Sequence, residues 1–94
     1  MSNQQFTKKY FGKVTEFCPT EHAALRMAQR NLTLEEVWFV IKHGKVSQVG
    51  KAREYWLRAK DIPEAFKLNG RWAQLCGTKV IVSHDEPLII TAWR

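Results

Sequence analysis

The sequence predicts one α+β domain over residues 1–94, with helices first and strands later. Three observations support this class. Residues 20–43 contain two helical patterns of apolar residues, and each follows a threonine suited to capping a helix. After Gly44 the spacing of apolar residues shortens towards two, which is the period of a β-strand. The chain then closes with two β-branched apolar runs, Val80–Val82 and Leu88–Trp93, which predict two strands.

Composition favours a folded protein with an acidic partner. Apolar residues make up 45% of the chain, including four Trp, two Tyr and five Phe, and such a composition is not that of a disordered arm. The formal net charge is +6 and the isoelectric point is about 9.6. A basic protein attracts polyanions, so nucleic acid is the favoured partner.

The sequence gives no indication of secretion or membrane insertion. Residues Met1–Gln5 are polar, and lysines up to Lys13 interrupt the aromatic residues that follow, so no signal peptide is predicted. No apolar run approaches the roughly 18 residues that cross a bilayer. We therefore expect a cytoplasmic protein in which Cys18 and Cys76 are reduced thiols.

The first helix is predicted to begin after Thr20, the expected N-cap, with Glu21 placed favourably in the first turn. It is expected to end near Arg30, because Asn31 can adopt the left-handed conformation that terminates helices. The segment before it, up to Phe17, is expected to form a strand or a loosely packed arm.

The second helix has clear signals at both ends. Thr33 and Glu36 have the spacing of a capping box, in which each side chain accepts a hydrogen bond from the other's backbone N–H. Gly44 is predicted to stop the helix, and His43 before it to act as a favourable cation at the C-terminal end. The predicted buried stripe consists of Leu34, Val37, Trp38 and Ile41.

Two further strands are predicted after the second helix, Lys45–Val49 and Arg53–Arg58, joined by a turn at Gly50-Lys51. The segment Ala59–Asn69 is ambiguous, and a short helix opening around Pro63 is one interpretation. Two dipeptides are predicted to be turns, Asn69-Gly70 and Cys76-Gly77.

The first helix is predicted to have a basic face. At about 100° per residue, one side of the helix carries His22, Arg26, Gln29 and Arg30. No acidic residue lies three or four positions from either arginine, so no local ion pair neutralises them. An imidazole beside two guanidinium groups suits an anionic substrate, phosphate above all. The alternative is a solvated basic face that carries an incidental histidine.

These features together resemble the domain-of-unknown-function family numbered 4258. The resemblance covers Thr20 to Arg94, and it implies a distant relation to RelE-like, barnase-like and colicin-like nucleases. It therefore implies N-terminal helices packed on a mostly antiparallel sheet of about four strands, with metal-independent RNA cleavage and no cofactor. The sequence departs from its relatives at Asn31, where they usually carry Gly, and at Trp93-Arg94, where they often carry a tyrosine. The matching blocks are His22-Ala-x-x-Arg-Met-x-x-Arg30, Leu32-Thr-Leu-Glu-Glu-Val37, Gly44 and Ile89-Ile-Thr-Ala-Trp-Arg94.

Metal-free cleavage of RNA defines roles for these residues. His22 is the candidate general base or acid, since imidazole exchanges protons near neutral pH. Arg26 and Arg30 are the candidates for binding phosphate and stabilising its added charge. Thr91 would complete this catalytic set if the last strand lies beside the first helix. The further candidates for substrate binding are Arg94, Gln29, Arg53 and Arg58. Tyr55 and Trp56 fall on opposite strand faces, so at most one of them could stack on a base, and core packing is favoured for both.

Structural interpretations of the same residues remain open. His22 can hydrogen-bond within the fold, Arg26 can bond strand carbonyls, and Arg30 can neutralise the end of its own helix. Thr91 is also an ordinary β-branched strand residue. A zinc site is not predicted, because no known structural site has the spacing of Cys18, His22, Cys76 and His84.

The sequence therefore favours an RNA-directed protein, a metal-independent ribonuclease of toxin type from a toxin–antitoxin pair or a phage system. RNA is the expected substrate and an antitoxin protein the expected partner. The alternative is a non-catalytic module that binds RNA or a protein through the same basic face. A purely protein-directed regulator is a third interpretation.

Overall fold

A five-stranded sheet with two helices packed against it organises the protein, which a computed structural model describes over residues 13–93. The strand order is β1-β5-β4-β3-β2, and every pairing is antiparallel except that of β1 with β5. This confirms the α+β class with helices on a mostly antiparallel sheet. The expected four strands gain a fifth at the edge, the two-residue β1. The strands are β1 (Cys18–Pro19), β2 (Lys45–Val49), β3 (Ala52–Trp56), β4 (Lys79–Ser83) and β5 (Leu88–Trp93).

Helix α1 (Glu21–Gln29) has both predicted ends. The Thr20 hydroxyl accepts a hydrogen bond from the Ala23 N–H at 3.1 Å. Asn31 adopts a φ of 59°, and the N–H of Leu32 then reaches back to the Met27 carbonyl at 2.8 Å. This wrapped ending, a Schellman motif, satisfies carbonyls that the helix leaves without partners. Before α1, residues Val14–Glu16 form a short 3-10 helix, and the earlier part of the predicted strand or arm lies outside the described residues.

Helix α2 (Leu34–His43) begins with the predicted capping box. The Thr33 N–H donates to Glu36 Oε1 at 2.9 Å, and the Glu36 N–H donates to Thr33 Oγ1 at 3.2 Å. Trp38 is only half-buried at the margin of the core, and its indole N–H donates to the Phe17 carbonyl at 2.9 Å. Leu34 is also half-buried, and the residues of α2 that enter the apolar core are Val37, Phe39, Val40 and Ile41.

Gly44 ends α2 as predicted, but for a different reason. Its backbone is extended, with a φ of −72° and a ψ of 162°, a conformation that any residue can adopt. A Cβ atom at this position would lie 2.6 Å from the Val40 carbonyl oxygen and 3.1 Å from the backbone of Trp56. Glycine is therefore required because α2 and β3 approach each other closely here.

Four of the strands lie in predicted segments, although β3 ends at Trp56, two residues before the predicted end at Arg58, and the register of the sheet is interrupted once. The predicted spans Lys45–Val49 and Leu88–Trp93 are confirmed, and the turn after β2 places Gly50 at a φ of 59°. Between β4 and β5 the pairing moves from Ile81 with Thr91 to Val82 with Ile89. One residue, Ile90, is thus an extra residue of β5, which makes the irregularity a β-bulge.

The stretch between β3 and β4 contains three short helical segments, two of which lie in the ambiguous segment Ala59–Asn69. A 3-10 helix (Ala59–Asp61) precedes α3 (Glu64–Lys67) and α4 (Gly70–Ala73). The dipeptide Asn69-Gly70, predicted as a turn, instead begins helix α4. The Asn69 side chain caps this helix by accepting a hydrogen bond from the Arg71 N–H at 2.9 Å.

Helix α4 is held against the start of α2 by ionic and aromatic contacts. The Arg71 guanidinium lies 3.0 Å from the Glu35 carboxylate and 3.3 Å from that of Glu36. Trp72 stacks on Phe39 with ring centroids 4.6 Å apart. His43 packs on the same Phe39 ring at 4.6 Å, and burial lowers the pKa of its imidazole. The neutral form is thereby favoured over the helix-end cation expected from sequence.

Candidate functional site

Helix α1 lies along β5, and this packing positions the candidate site. Ala23 and Met27 face the core from α1, and the Thr20 N–H donates to the Ile89 carbonyl at 3.0 Å. Strand β1 pairs with Leu88 and Ile89, so the later part of β5 runs on beside the helix. The polar side of α1 is thereby brought to the end of the last strand.

A solvent-open pocket of about 350 Å³ occupies this junction of α1 and β5. Three basic side chains, two from α1 and that of its C-cap residue Arg30, are spaced by four residues, which places them on one helical face. His22 and Arg30 are exposed, and Arg26 between them is half-buried. The predicted association of α1 with Thr91 is therefore present in the structure. We call this the basic pocket; its lining residues are His22, Arg26, Arg30, Thr91, Ala92 and Trp93.

The guanidinium groups of the basic pocket have no acidic partner in residues 13–93. The ion pairs of this part of the chain involve other cations, with Arg58 on Asp61 and Arg71 on Glu35 and Glu36. One half-buried and one exposed guanidinium group beside an imidazole therefore give the pocket a positive charge with which no carboxylate of the described residues forms an ion pair. This arrangement attracts an anion and offers it charge-assisted hydrogen bonds.

Three of the remaining candidates, Gln29, Arg53 and Arg58, are not part of the basic pocket. Gln29 is exposed on α1 but is not among the lining residues. Arg53 is 0% exposed, and its Nη2 donates to the Ser83 carbonyl at 3.3 Å, so a substrate has no access to it. The Arg58 guanidinium donates two hydrogen bonds to the Asp61 carboxylate, at 2.8 and 2.9 Å, and the Arg58 backbone N–H donates a third at 3.0 Å. Arg94 lies outside the described residues.

The Arg58–Asp61 pair stabilises the turn after β3 and gives a prediction on stability. The guanidinium hydrogen bonds hold the pKa of the Asp61 carboxyl below its ordinary value. A depressed pKa in the folded state adds stability above about pH 4, and this is lost as the pH falls through the folded-state pKa. We expect Asp61→Asn to lower Tm at pH 7 by about 3 °C.

The same substitution is expected to change Tm less as the pH is lowered through the folded-state pKa of Asp61, below which the wild-type carboxylate is itself protonated. Thermal unfolding followed by circular dichroism at several pH values measures this difference. Asp85→Asn, which removes an exposed carboxylate, is the control. An equal loss for Asp61→Asn at all pH values would contradict a role for the ion pair.

The two aromatic residues of β3 face opposite sides of the sheet, as their alternation predicts. Tyr55 is buried, and burial raises the pKa of its phenol, an effect that the charge of Arg53 partly offsets. Trp56 is 40% exposed. Trp93, which sequence analysis did not include among the site residues, also belongs to the pocket lining. Its signal in the sequence was its two-residue spacing from Thr91, which places both on one strand face.

Within residues 13–93, no three His, Cys, Asp or Glu side chains are grouped so that they would hold a metal ion. Cys18 and Cys76 are exposed and are not joined to each other. None of the helices in this part of the chain combines the length and apolar character needed to cross a membrane.

The fold and the site define a small α+β protein with a basic pocket between its first helix and its last strand. Comparison of the chain with protein-family models, with curated proteins and with solved structures gives no match in any of the three. The functional assignment therefore rests on the side chains of the pocket and their chemistry.

Proposed function

We propose that this protein binds the phosphate backbone of RNA in the basic pocket and cleaves the RNA there without a metal ion. One observation carries the proposal. His22, Arg26 and Arg30 line a single solvent-open pocket, and no carboxylate of residues 13–93 forms an ion pair with either arginine. Imidazole and guanidinium groups together supply proton transfer and charge stabilisation, which are the two requirements of metal-free cleavage.

The reaction assigns a role to each side chain. His22 takes the proton of the ribose 2′-hydroxyl, and the 2′-oxygen forms a bond to phosphorus. The bond from phosphorus to the 5′-oxygen breaks, and that oxygen receives a proton from the imidazolium or from water. Arg26 and Arg30 stabilise the negative charge that builds up on the phosphate, and the Thr91 hydroxyl donates to a non-bridging oxygen. The products end in a 2′,3′-cyclic phosphate and a 5′-hydroxyl.

As a toxin-type ribonuclease, the protein would require an inhibitor in the cell that produces it. An antitoxin that inserts carboxylates into the basic pocket would both cover the site and neutralise its charge. RNA as substrate and an acidic antitoxin as partner are parts of the same proposal.

Binding without cleavage is the second candidate function. In residues 13–93 the lining of the basic pocket includes one imidazole, that of His22. Efficient cleavage needs a general acid that protonates the 5′-oxygen in addition to the general base that deprotonates the 2′-hydroxyl. A single imidazole cannot fill both roles at once, and this favours binding without cleavage.

The test compares wild type and His22→Ala on a 5′-labelled, unpaired RNA oligonucleotide in EDTA. We expect wild type to release fragments with 2′,3′-cyclic phosphate ends, and His22→Ala to lower the cleavage rate about 100-fold or more. Leu25→Ala is the matched control, because Leu25 is 58% exposed on α1 and is not part of the pocket lining. It should retain the wild-type rate.

Three outcomes contradict the proposal. Equal cleavage by wild type and His22→Ala would point to a contaminating nuclease, and cleavage of an oligonucleotide with 2′-deoxyribose throughout would exclude attack by the 2′-hydroxyl. Salt-sensitive binding with no product from wild type would establish the non-catalytic alternative.

A further inference from the structure

A line of alternating lysines and tryptophans crosses the sheet on the side opposite the core. The strand register pairs Lys45 with Trp56, Trp56 with Lys79, and Lys79 with Trp93. Paired residues of neighbouring strands lie on one face of a sheet, so these four side chains stand side by side across β2, β3, β4 and β5. We call them the tryptophan row.

The tryptophan row is open to solvent and positively charged. Trp56 is 40% exposed and Trp93 is 36% exposed, both unusually open for residues of this size. The Lys79 Nζ lies 5.4 Å from the centre of the Trp56 ring, and the Arg58 guanidinium carbon lies 5.9 Å from the same point. Neither lysine of the row forms an ion pair with a carboxylate of residues 13–93.

The tryptophan row meets the basic pocket at Trp93, which belongs to both. Adjacent strands are about 4.8 Å apart, so Trp56 lies roughly 10 Å further across the sheet from Trp93. An extended ligand anchored by a phosphate in the basic pocket would therefore reach two aromatic platforms in succession. Lys79 lies between these platforms and Lys45 beyond the second.

We propose that the tryptophan row binds the unpaired RNA nucleotides next to the phosphate held in the basic pocket, with bases stacked on Trp56 and Trp93 and phosphates near Lys79 and Lys45. This inference rests on the proposed function, since RNA in the pocket sets the direction of the strand. Alternating cations and flat rings are the combination with which proteins bind single-stranded nucleic acid. An apolar protein surface would be a poorer match, because two lysine ammonium groups would be dehydrated without a counter-charge.

The neighbouring row of the same face limits the direction of the bound strand. It contains Ser47, Glu54, Ile81 and Thr91 in register, and the carboxylate of Glu54 disfavours a phosphate at that position. The RNA is therefore expected to cross the strands along the tryptophan row rather than to run parallel to them. A base-paired duplex would not expose its ring faces, so the surface selects unpaired RNA.

The experiment measures binding of about 12 linked 2′-O-methyl uridines to the full chain by fluorescence anisotropy. The 2′-O-methyl group prevents cleavage, so wild-type protein is used. We expect Trp56→Leu to weaken binding about 5- to 150-fold, the loss of one stacked base, and Trp56→Phe to retain most of the affinity. Leu68→Ala, which removes another exposed apolar side chain, should bind as wild type does.

Abasic ligand separates stacking from charge. An abasic ribose-phosphate strand of equal length keeps the phosphates, so its weaker binding should be the same for wild type and Trp56→Leu. Lys79→Ala should lower the salt dependence of uridine binding by about 0.7 in the slope of log affinity against log salt. Lys51→Ala removes a lysine from the turn between β2 and β3, outside the tryptophan row, and should leave this slope unchanged.

Unchanged affinity for the uridine oligonucleotide in Trp56→Leu overturns the inference, as does an equal loss on the abasic strand or no binding by wild type. Circular dichroism melting establishes that each variant is folded. The readout is independent of cleavage. If wild type does not cleave RNA but Trp56→Leu still weakens uridine binding, the proposed cleavage is wrong and the role of the tryptophan row is supported. If wild type cleaves RNA but Trp56→Leu binds uridine unchanged, only the role of the tryptophan row is wrong.

Discussion

Arg26→Ala is expected to slow RNA cleavage about 100- to 1,000-fold under single-turnover conditions in EDTA. Arg26 lies four residues from both His22 and Arg30 on α1, and all three line the basic pocket. Its half-buried guanidinium is more constrained than that of Arg30, so it is the better-fixed donor to the phosphate. Removal of one preorganised donor to a developing negative charge typically costs a factor of this size.

Charge and geometry are separated by two further variants. Arg26→Lys keeps the charge but loses the planar pair of donors, so an intermediate rate is expected. Lys42→Ala removes the same charge from an exposed position on α2 and should cleave at nearly the wild-type rate. Equal losses in Arg26→Ala and Lys42→Ala would show that net charge alone matters. Tm values for each variant distinguish a slowed reaction from unfolding.

Gly44→Ala is expected to be the most destabilising single methyl addition, with a loss of about 1–3 kcal/mol in the free energy of unfolding. The added carbon would lie 2.6 Å from the Val40 carbonyl oxygen and 3.1 Å from the Trp56 backbone. Both neighbours are main-chain atoms of paired elements, so neither can move aside without disturbing α2 or β3. In a protein of this size, such a loss in the free energy of unfolding should lower Tm by about 5–20 °C.

Gly70→Ala provides the matched control. A Cβ atom at Gly70 would meet nothing within 4 Å, and the position is in helix α4, where alanine is favoured over glycine. We expect an unchanged or slightly higher Tm for this variant, measured by the same thermal unfolding. Similar losses in the two variants would mean that the close approach at Gly44 is not what requires glycine.

The helices were predictable because their signals are local. Thr20, Thr33 and Glu36 act within one turn of helix, and Asn31 needs only its own backbone angle to end α1. The convergence of His22, Arg26 and Arg30 likewise follows from helical spacing. Their approach to Thr91 was an expectation that depended on how α1 packs on β5, which neighbouring residues in the sequence do not encode.

Arg53 and Arg58 show what sequence spacing leaves open. Arg53 shares a strand face with Tyr55, so the same alternation that buries Tyr55 also buries Arg53. The pattern does not state which face is inside, and a charged residue normally argues for the outer one. Arg58 is different, since its partner Asp61 is only three residues away and the pair is visible in the sequence as a local ion pair.

The tryptophan row depends on information that no single segment contains. Its members lie in four strands, and the order β5-β4-β3-β2 with its register brings them together. Each of Lys45, Trp56, Lys79 and Trp93 is unremarkable in its own segment. Only the pairing of long-range strands turns four scattered residues into one surface.

The extra residue at position 90 determines which side chains at the end of β5 point into the core. Ile89 and Ala92 both point into the core although three positions separate them, which an uninterrupted strand cannot achieve. The bulge reverses the alternation, so small Ala92 lies inward and the indole of Trp93 is turned outward. Plain alternation from Ile89, without the shift that the extra residue introduces, would direct Thr91 and Trp93 into the interior and remove the aromatic link between the pocket and the sheet.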